Sequence, residues 1–141
     1  MGLRVKIKGD DELYFDEHSI LSASYMTDTP DDSNARSSNV VSTIRIHGKI
    51  LTAVNGQEQD DVLKLAKWSL VRAEVADSYR NFKLENVLAG QVVRSVELPE
   101  AFVVDYTETY SDSTGTGTFD LTVRQKKDLF DNTKIEGGYD A

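Results

Sequence analysis

The stretch FVVDYTETYSDSTGTGTFDLTV, Phe102 to Val123, contains two alternating segments around a turn-forming run. On an extended chain, the apolar residues of the first segment that share one side are Phe102, Val104, Tyr106 and Tyr110. The corresponding apolar residues of the second segment are Phe119, Leu121 and Val123. Between the two segments, Ser111 to Gly117 has turn composition, with two glycines that can take positive φ. The stretch therefore predicts a long β-hairpin with one buried face.

The glycines of this stretch do not indicate a nucleotide site. A phosphate-binding loop leads into a helix, whose first amides and dipole face the anion. Here Gly115 and Gly117 precede a strand pattern, and the run lacks the Gly-Lys-Ser/Thr ending of a nucleotide loop. The hairpin interpretation is favoured.

The composition limits the class of protein. A chain of 141 residues predicts one main domain, and we expect a β-barrel domain over 1–127 followed by a polar C-terminal arm over 128–141. Because the chain has no cysteine, disulfides and thiolate metal sites are excluded. Its formal net charge of −8 disfavours nucleic acid as a partner. No apolar run is long enough to span a membrane, so we expect no membrane insertion and a protein that is cytoplasmic when made.

Period-two patterns recur along most of the chain, and one segment has the period of a helix. Strands are predicted near 3–7, 13–15, 19–26, 39–54, 79–88 and 91–98, in addition to the hairpin. The helix is predicted at about 60–74, with Leu63 and Leu70 widening its apolar stripe and Trp68 anchoring it in the core. The order predicts a mainly β protein, an antiparallel β-barrel or sandwich with one packed helix.

A long polar segment, Thr27 to Ser38, separates two of the predicted strands. Loops of this length in a small domain are often functional. Its acids lack the alternating ligands, central glycine and closing glutamate of a calcium loop, so a solvated loop is favoured over a cation site. The candidate functional residues within it are Asp28, Pro30, Asp31, Asp32, Asn34 and Arg36.

The chain carries little that indicates catalysis. Its two histidines, His18 and His47, are expected to be surface residues, and no nucleophile elbow or zinc-protease helix is present. Asp105 and Glu108 are predicted on opposite faces of one strand, where they cannot form a carboxylate pair. We therefore expect no catalytic, cofactor-binding or metal-binding residues, and no cofactor.

With these elements in place, the chain resembles the haemolysin-coregulated protein family, the tube subunits of type VI secretion systems, and related phage tail tube proteins. The resemblance covers about residues 3–127 and consists of strand patterns. They are, in order, ILSASYM, a long loop, STIRIHGKI, the helix DDVLKLAKWSL, and AFVVDYTETY paired with TGTFDLTVRQKK.

The resemblance implies a non-enzymatic subunit that assembles with itself into rings, commonly hexamers, which stack into tubes. It further implies that the Thr27–Ser38 loop contacts a neighbouring subunit, that other tail or secretion components are partners, and that the assembled protein is secreted or enclosed in an injection particle. Two alternatives remain open from the residues alone. One is a β-barrel that binds a small ligand in its interior, and the other is a hydrolase or protease whose site is assembled in space.

Overall fold

Eight strands and one helix make up the part of the chain that the computed structural model describes, namely residues 2–9, 12–28, 41–50, 61–71, 78–112, 116–125 and 134–137. The first four strands are β1 (Gly2–Lys8), β2 (Glu12–Phe15), β3 (Ile20–Asp28) and β4 (Val41–Lys49). The helix α1 (Asp61–Ser69) follows. The last four strands are β5 (Arg80–Leu88), β6 (Gln91–Ser111), β7 (Thr116–Gln125) and β8 (Lys134–Gly137).

All the strand pairs are antiparallel and belong to one sheet, in the order β2-β1-β5-β6-β7-β4-β3, with β8 added on β6. The predicted hairpin is confirmed, because β6 and β7 pair from Ala101 and Gln125 to Ser111 and Thr116. The sheet curls so that β1 approaches β3. The mainly β, barrel-like class predicted from the sequence is therefore confirmed.

The curled sheet encloses one apolar core. Its largest completely buried apolar side chains are Trp68, Phe82, Phe119, Ile7, Leu13, Ile44, Leu65, Leu98 and Leu121. The helix lies against β2 and β6, and the Trp68 indole is 1% exposed, donating from Nε1 to Ser78 O at 3.0 Å. The Arg80 guanidinium lies over the indole ring, 5.2 Å from its centroid. Trp68 is the core anchor that the helical pattern predicts.

A β-bulge at Val104 changes which residues of β6 face the core. Val103 pairs with Val123, but the next residue in register is Asp105, opposite Thr122. The extra residue shifts the alternation by one position. Val103 therefore packs on the core together with Tyr106, whereas Phe102 makes an edge-to-face contact with the ring of Tyr79. The expectation that Phe102, Val104 and Tyr106 share a face was wrong, since a strict period of two cannot indicate a bulge.

A second bulge, at the start of β3, has the same consequence. The register shifts between Ile20 and Ser22, so Ile20 is buried whereas Leu21 is 48% exposed. Ala23 and Tyr25 pack on the core as expected. Leu21 was predicted on the same face as Ala23 and Tyr25, and this prediction was wrong, because Leu21 does not pack on the core.

Pro99 and Glu100 mark the bend in the long strand β6. The sequence predicts two strands separated at this point, whereas β6 runs without a break from Gln91 to Ser111. Glu100 adopts φ 58°, and β6 changes its principal partner here from β5 to β7. A proline is tolerated at such an irregular position because no ladder amide is needed there.

The helix is shorter than the 60–74 predicted. It ends at Ser69, whose Oγ donates to Ala66 O at 2.5 Å, and Leu70 N bonds back to Lys67 O in a tighter turn. Leu63 and Leu70 are 52% and 82% exposed, so they do not widen the buried stripe. Residues 72–74 lie outside the described part of the chain.

The turn between β5 and β6 carries a strained alanine. Leu88 pairs with Gln91, and the two residues between them, Ala89 and Gly90, have φ of 52° and 80°, as in a type I′ turn. We expect Ala89→Asn to raise the free energy of unfolding by about 0.5–1 kcal/mol, since asparagine tolerates this conformation better than alanine.

Urea denaturation followed by circular dichroism measures the effect. Gly90→Ala is the matched control: a Cβ at Gly90 would meet nothing within 4 Å, so its expected loss of about 1 kcal/mol reports backbone conformation alone. Equal stability of Ala89→Asn and the parent would contradict a positive φ at residue 89.

Candidate assembly surface

Strand β3 forms one edge of the sheet, because among the described strands it pairs only with β4. The direction of its amides follows from two hydrogen bonds on β4. Lys49 N donates to Ser19 O at 2.7 Å, on the β3 side, and Ile50 N donates to Gly117 O at 2.9 Å, on the β7 side. Amides alternate in direction along a strand. The odd-numbered amides of β4 therefore face β3.

This alternation identifies the amides on the outer side of β3. Ser24 lies opposite Arg45, so these two residues form a hydrogen-bonded pair and the Ser24 amide faces β4. The amides of Ala23, Tyr25 and Thr27 then point away from the sheet. Unpaired amides and carbonyls in a row are a template for another strand.

Strand β6 has a second unpaired side. Along Gln91–Ala101 it is paired on one side with β5, and along Ala101–Ser111 on the opposite side with β7. From Phe102 to Ser111, the side that β5 occupies earlier has no partner among the described strands. Val104 and Tyr110, 41% and 69% exposed, lie along this segment. Besides the four-residue terminal strand β2, the described sheet therefore offers two longer edges of similar length on different strands, the outer side of β3 and the far half of β6.

The predicted Thr27–Ser38 loop begins later than expected, because its first two residues, Thr27 and Asp28, are the last two of β3, the first of these edges. Asp28 is the last residue of β3 and pairs with Val41, the first residue of β4. The other five candidate residues, Pro30, Asp31, Asp32, Asn34 and Arg36, lie outside the described part of the chain. The loop thus connects the edge strand β3 to β4, and its first residues lie at the edge of the sheet.

A carboxylate holds two tyrosines near the end of the hairpin, on the core-facing side of β6. Tyr106 Oη donates to Glu108 Oε2 at 2.6 Å, and Tyr110 Oη donates to Glu108 Oε1. The hydrogen bond to Glu108 raises the pKa of Tyr110, and desolvation and the negative charge of Glu108 act in the same direction. The group stiffens the hairpin beside the unpaired side of β6.

Glu108→Gln should lower the pKa of Tyr110 towards its ordinary value of about 10, since the amide carries no charge. Because the folded-state pKa of Tyr110 is raised, its stabilisation is complete below about pH 10 and is lost as the pH rises through the folded-state pKa. The parent should therefore lose stability in that alkaline range more steeply than Glu108→Gln. Ultraviolet titration of phenolate, with Tyr110→Phe identifying the contribution of residue 110, measures the shift. Identical titration of the parent and Glu108→Gln would contradict it.

The outer face of β3, β4 and β7 carries a polar row rather than an enclosed site. His47 Nδ1 and Asp120 Oδ1 are 2.9 Å apart, with the side chains 37% and 57% exposed. They line an open depression of about 230 Å³, whose other polar residues are Ser22, Ser24, Arg45 and Thr122. His18 lies exposed in the turn before β3, where its amide bonds Asp16 Oδ1 at 2.9 Å.

This arrangement bears on the two alternative functions. His47 and Asp120 form a pair, and Ser22 lies opposite His47 in register, but the row is on an exposed sheet face without walls that would exclude water from a reaction. Asp105 and Glu108 occupy opposite faces, as predicted. Among the described residues, no three His, Asp or Glu side chains are grouped to hold a metal ion. Neither hydrolysis nor binding of a ligand inside the packed barrel is favoured by any of these features.

The sequence did not indicate the two unpaired edges. The sequence indicated β1 to β5 and the hairpin, but it did not indicate β8, which lies in the predicted polar arm, and it divided β6 at Pro99. An edge is a property of strand order, and nothing local distinguishes β3 from a central strand. The bend at Pro99 was a usable signal, since proline inside a strand pattern indicates an edge or an irregularity.

Comparison of the whole fold with solved structures finds similar proteins. Hcp1 from Flavobacterium johnsoniae superposes with a TM-score of 0.60 at 16% identity, covering 98% of this chain and 97% of that one. Hcp1 from the E. coli EAEC 042 pathovar gives 0.60 at 7% identity, covering 99% and 100%. A chain in the sheath–tube complex of PVC, an extracellular contractile injection system, gives 0.53 at 15% identity, covering 97% and 89%.

No protein-family model matches the sequence, and no curated protein matches it. The resemblance of the sequence to tube proteins is thus confirmed at the level of the fold, over nearly the full length of the chain. Within the described segments, no helix has the length and apolar character needed to cross a membrane.

Proposed function

We propose that this protein, which has the fold of the Hcp tube proteins, is a non-enzymatic subunit that assembles with itself into closed rings and stacked tubes in a contractile injection or secretion machine. The observation that carries the proposal is a combination of two features. The fold matches Hcp proteins over nearly the whole chain, and its sheet leaves the outer side of β3 and the far half of β6 unpaired. The proposed ring contains six copies.

The two edges are suited to a ring because they lie on different strands. Contact between unlike surfaces of identical subunits is heterologous, and it closes into a ring when the rotation between subunits allows. The outer side of β3 in one copy would pair with Phe102–Ser111 of β6 in the next. Such pairing would satisfy the outward amides of β3 and remove both edges from solvent.

The Thr27–Ser38 loop would then contact a neighbouring subunit. Asp28, where the loop leaves β3, is next to the edge that the proposed interface covers. Asp28, Pro30, Asp31, Asp32, Asn34 and Arg36 are the proposed contact residues. The tube would be made in the cytoplasm and would function within a secreted or extracellular particle, together with other components of the machine.

Charge opposes this assembly. Each copy carries a formal charge of −8, and the repulsion between copies extends over about 10 Å at 0.1 M salt. Added salt should therefore favour rings, because it screens this repulsion more than it weakens the hydrogen bonds between edges.

The experiment is to measure molar mass by light scattering after size exclusion at 50 mM and 500 mM salt, and to image the large species by electron microscopy. Rings of uniform diameter, enriched at high salt, are expected. A monomer at every salt and protein concentration, without rings on the grid, would refute the proposal. The ligand-binding and hydrolase alternatives would then be tested by ligand titration and by replacing His18 and His47 together.

A further inference from the structure

The short strand β8 shares one side of β6 with β7. Gln125, the last residue of β7, lies opposite Ala101, and Lys134, the first residue of β8, lies opposite Glu97. The two strands run in the same direction and lie end to end. Through β8, the C-terminal segment covers a piece of β6 that β7 leaves free.

Strand β8 is held by little more than its backbone. It has four residues, and it pairs with no other strand among the described ones. Ile135, Glu136 and Gly137 are all exposed, Ile135 by 49%. Since it is paired along one side only among the described strands and its described residues are exposed, this strand belongs to the least stable part of the fold.

The register of β8 on β6 is nevertheless specific. Gly137 lies opposite Arg94, and a Cβ at Gly137 would be 2.8 Å from Arg94 Nε and 3.1 Å from the carbonyl oxygen of Val93. At the other end, Lys134 is in register with Glu97. In this register, a side chain at position 137 would crowd the Arg94 side chain and the Val93 carbonyl oxygen.

The connection to β8 is longer than its position requires. Residues 126–133 join Gln125 to Lys134, whose partners Ala101 and Glu97 are four positions apart on β6, a separation of about 13 Å. A chain of that length can span roughly 30 Å when extended. It can therefore reach beyond its own subunit.

We propose that β8 is an exchangeable strand. In the free subunit it covers its own β6 at Arg94–Glu97, and in the assembled ring it pairs with the same segment of a neighbouring copy. This inference rests on the proposed ring assembly. The partner is a second copy because every copy carries the same acceptor segment, Arg94–Glu97, with Arg94 at the position opposite Gly137. Each exchange conserves the strand pair and links two subunits that otherwise repel one another.

The test uses the absence of cysteine from the chain. Ser95 lies directly opposite Glu136, and the Cα atoms of such antiparallel pairs are about 4.5–5.5 Å apart, within the Cα separation of a disulfide. Ser95→Cys and Glu136→Cys are made in separate chains carrying tags of different mass, mixed as free subunits, assembled, and oxidised. A mixed disulfide between the two variants is expected in the rings and not in dilute free subunits.

Two controls define the result. The double variant Ser95→Cys/Glu136→Cys, oxidised as the dilute free subunit, should form an internal disulfide, which verifies the register. Arg45→Cys and Thr122→Cys, opposite each other on β4 and β7, form the matched pair in separate chains and should give no mixed disulfide, because both strands are paired on two sides within their own subunit.

The outcomes separate this inference from the proposed function. Rings without a mixed Ser95→Cys/Glu136→Cys disulfide would overturn the exchange and leave the tube-subunit proposal intact. Equal cross-linking of the control pair would show random collision and would also overturn it. Failure to form any ring would overturn both proposals. Adding Gly137→Val to the Glu136→Cys chain should abolish the mixed disulfide, and its persistence would contradict the specific register.

Discussion

Replacing Trp68 by alanine is expected to lower the free energy of unfolding by about 3–5 kcal/mol. The indole is almost completely buried between α1 and the sheet. Its removal leaves a large cavity, eliminates the hydrogen bond to Ser78 O and takes away the aromatic face beneath the Arg80 guanidinium. No other tryptophan is present, and no other helix lies in the described part of the chain.

Trp68→Phe is the matched control, since it keeps an aromatic ring but removes the indole donor. Its expected loss is smaller, about 1–2 kcal/mol. Because both variants lack tryptophan fluorescence, urea denaturation should be followed by far-ultraviolet circular dichroism, at a concentration where the subunit is not assembled. A loss under about 1.5 kcal/mol for Trp68→Ala would show that the helix is not anchored through this residue.

Thr27→Pro is expected to weaken ring assembly by about tenfold at each subunit contact while leaving the free subunit folded. The amide of Thr27 points away from the sheet, so proline removes one donor from the proposed interface and none from the β3–β4 ladder. Loss of one such hydrogen bond, with the carbonyl of the neighbour left unpaired, costs about 1–1.5 kcal/mol, which corresponds to the tenfold effect. The same penalty applies at every contact between subunits, so its total effect on a closed ring is larger.

Two further variants locate this effect on the outer side of β3. Thr27→Val keeps the amide and should assemble as the parent does. Ser24→Pro removes an amide that faces β4, and should destabilise the subunit itself. Light scattering and thermal melting on all three variants separate assembly from folding. Normal rings from Thr27→Pro would show that the outer side of β3 does not form the interface.

Much of the secondary structure could be predicted because its causes are local. The alternation around Phe119, Leu121 and Val123, the turn composition before them and the helical spacing that buries Trp68 all depend on neighbours a few positions away. The polar segment after β3 was recognised for the same reason. Its role in assembly stays a prediction that came from the resemblance.

The errors were located where one local pattern is compatible with two structures. The bulges at Leu21 and Val104 each insert a residue without an obvious signal, so the alternation of faces before the bulge no longer matches the alternation after it. Leu70 fits the helical stripe in sequence, yet the chain has already left the helix when it reaches that residue. Backbone hydrogen bonding decided each of these cases, and apolar periodicity does not report it.

By itself, the sequence determined that this protein is a mainly β domain with one buried helix and a net negative charge, since periodicity, turn propensity and charge are properties of nearby residues or of composition. Only the tertiary structure decided which strands are neighbours. It left β3 and the far half of β6 each with an unpaired side, and it placed β8 end to end with β7. The physical reason is that strand pairing joins residues far apart in the chain, and its hydrogen bonds are made by a backbone that is the same in every residue except proline.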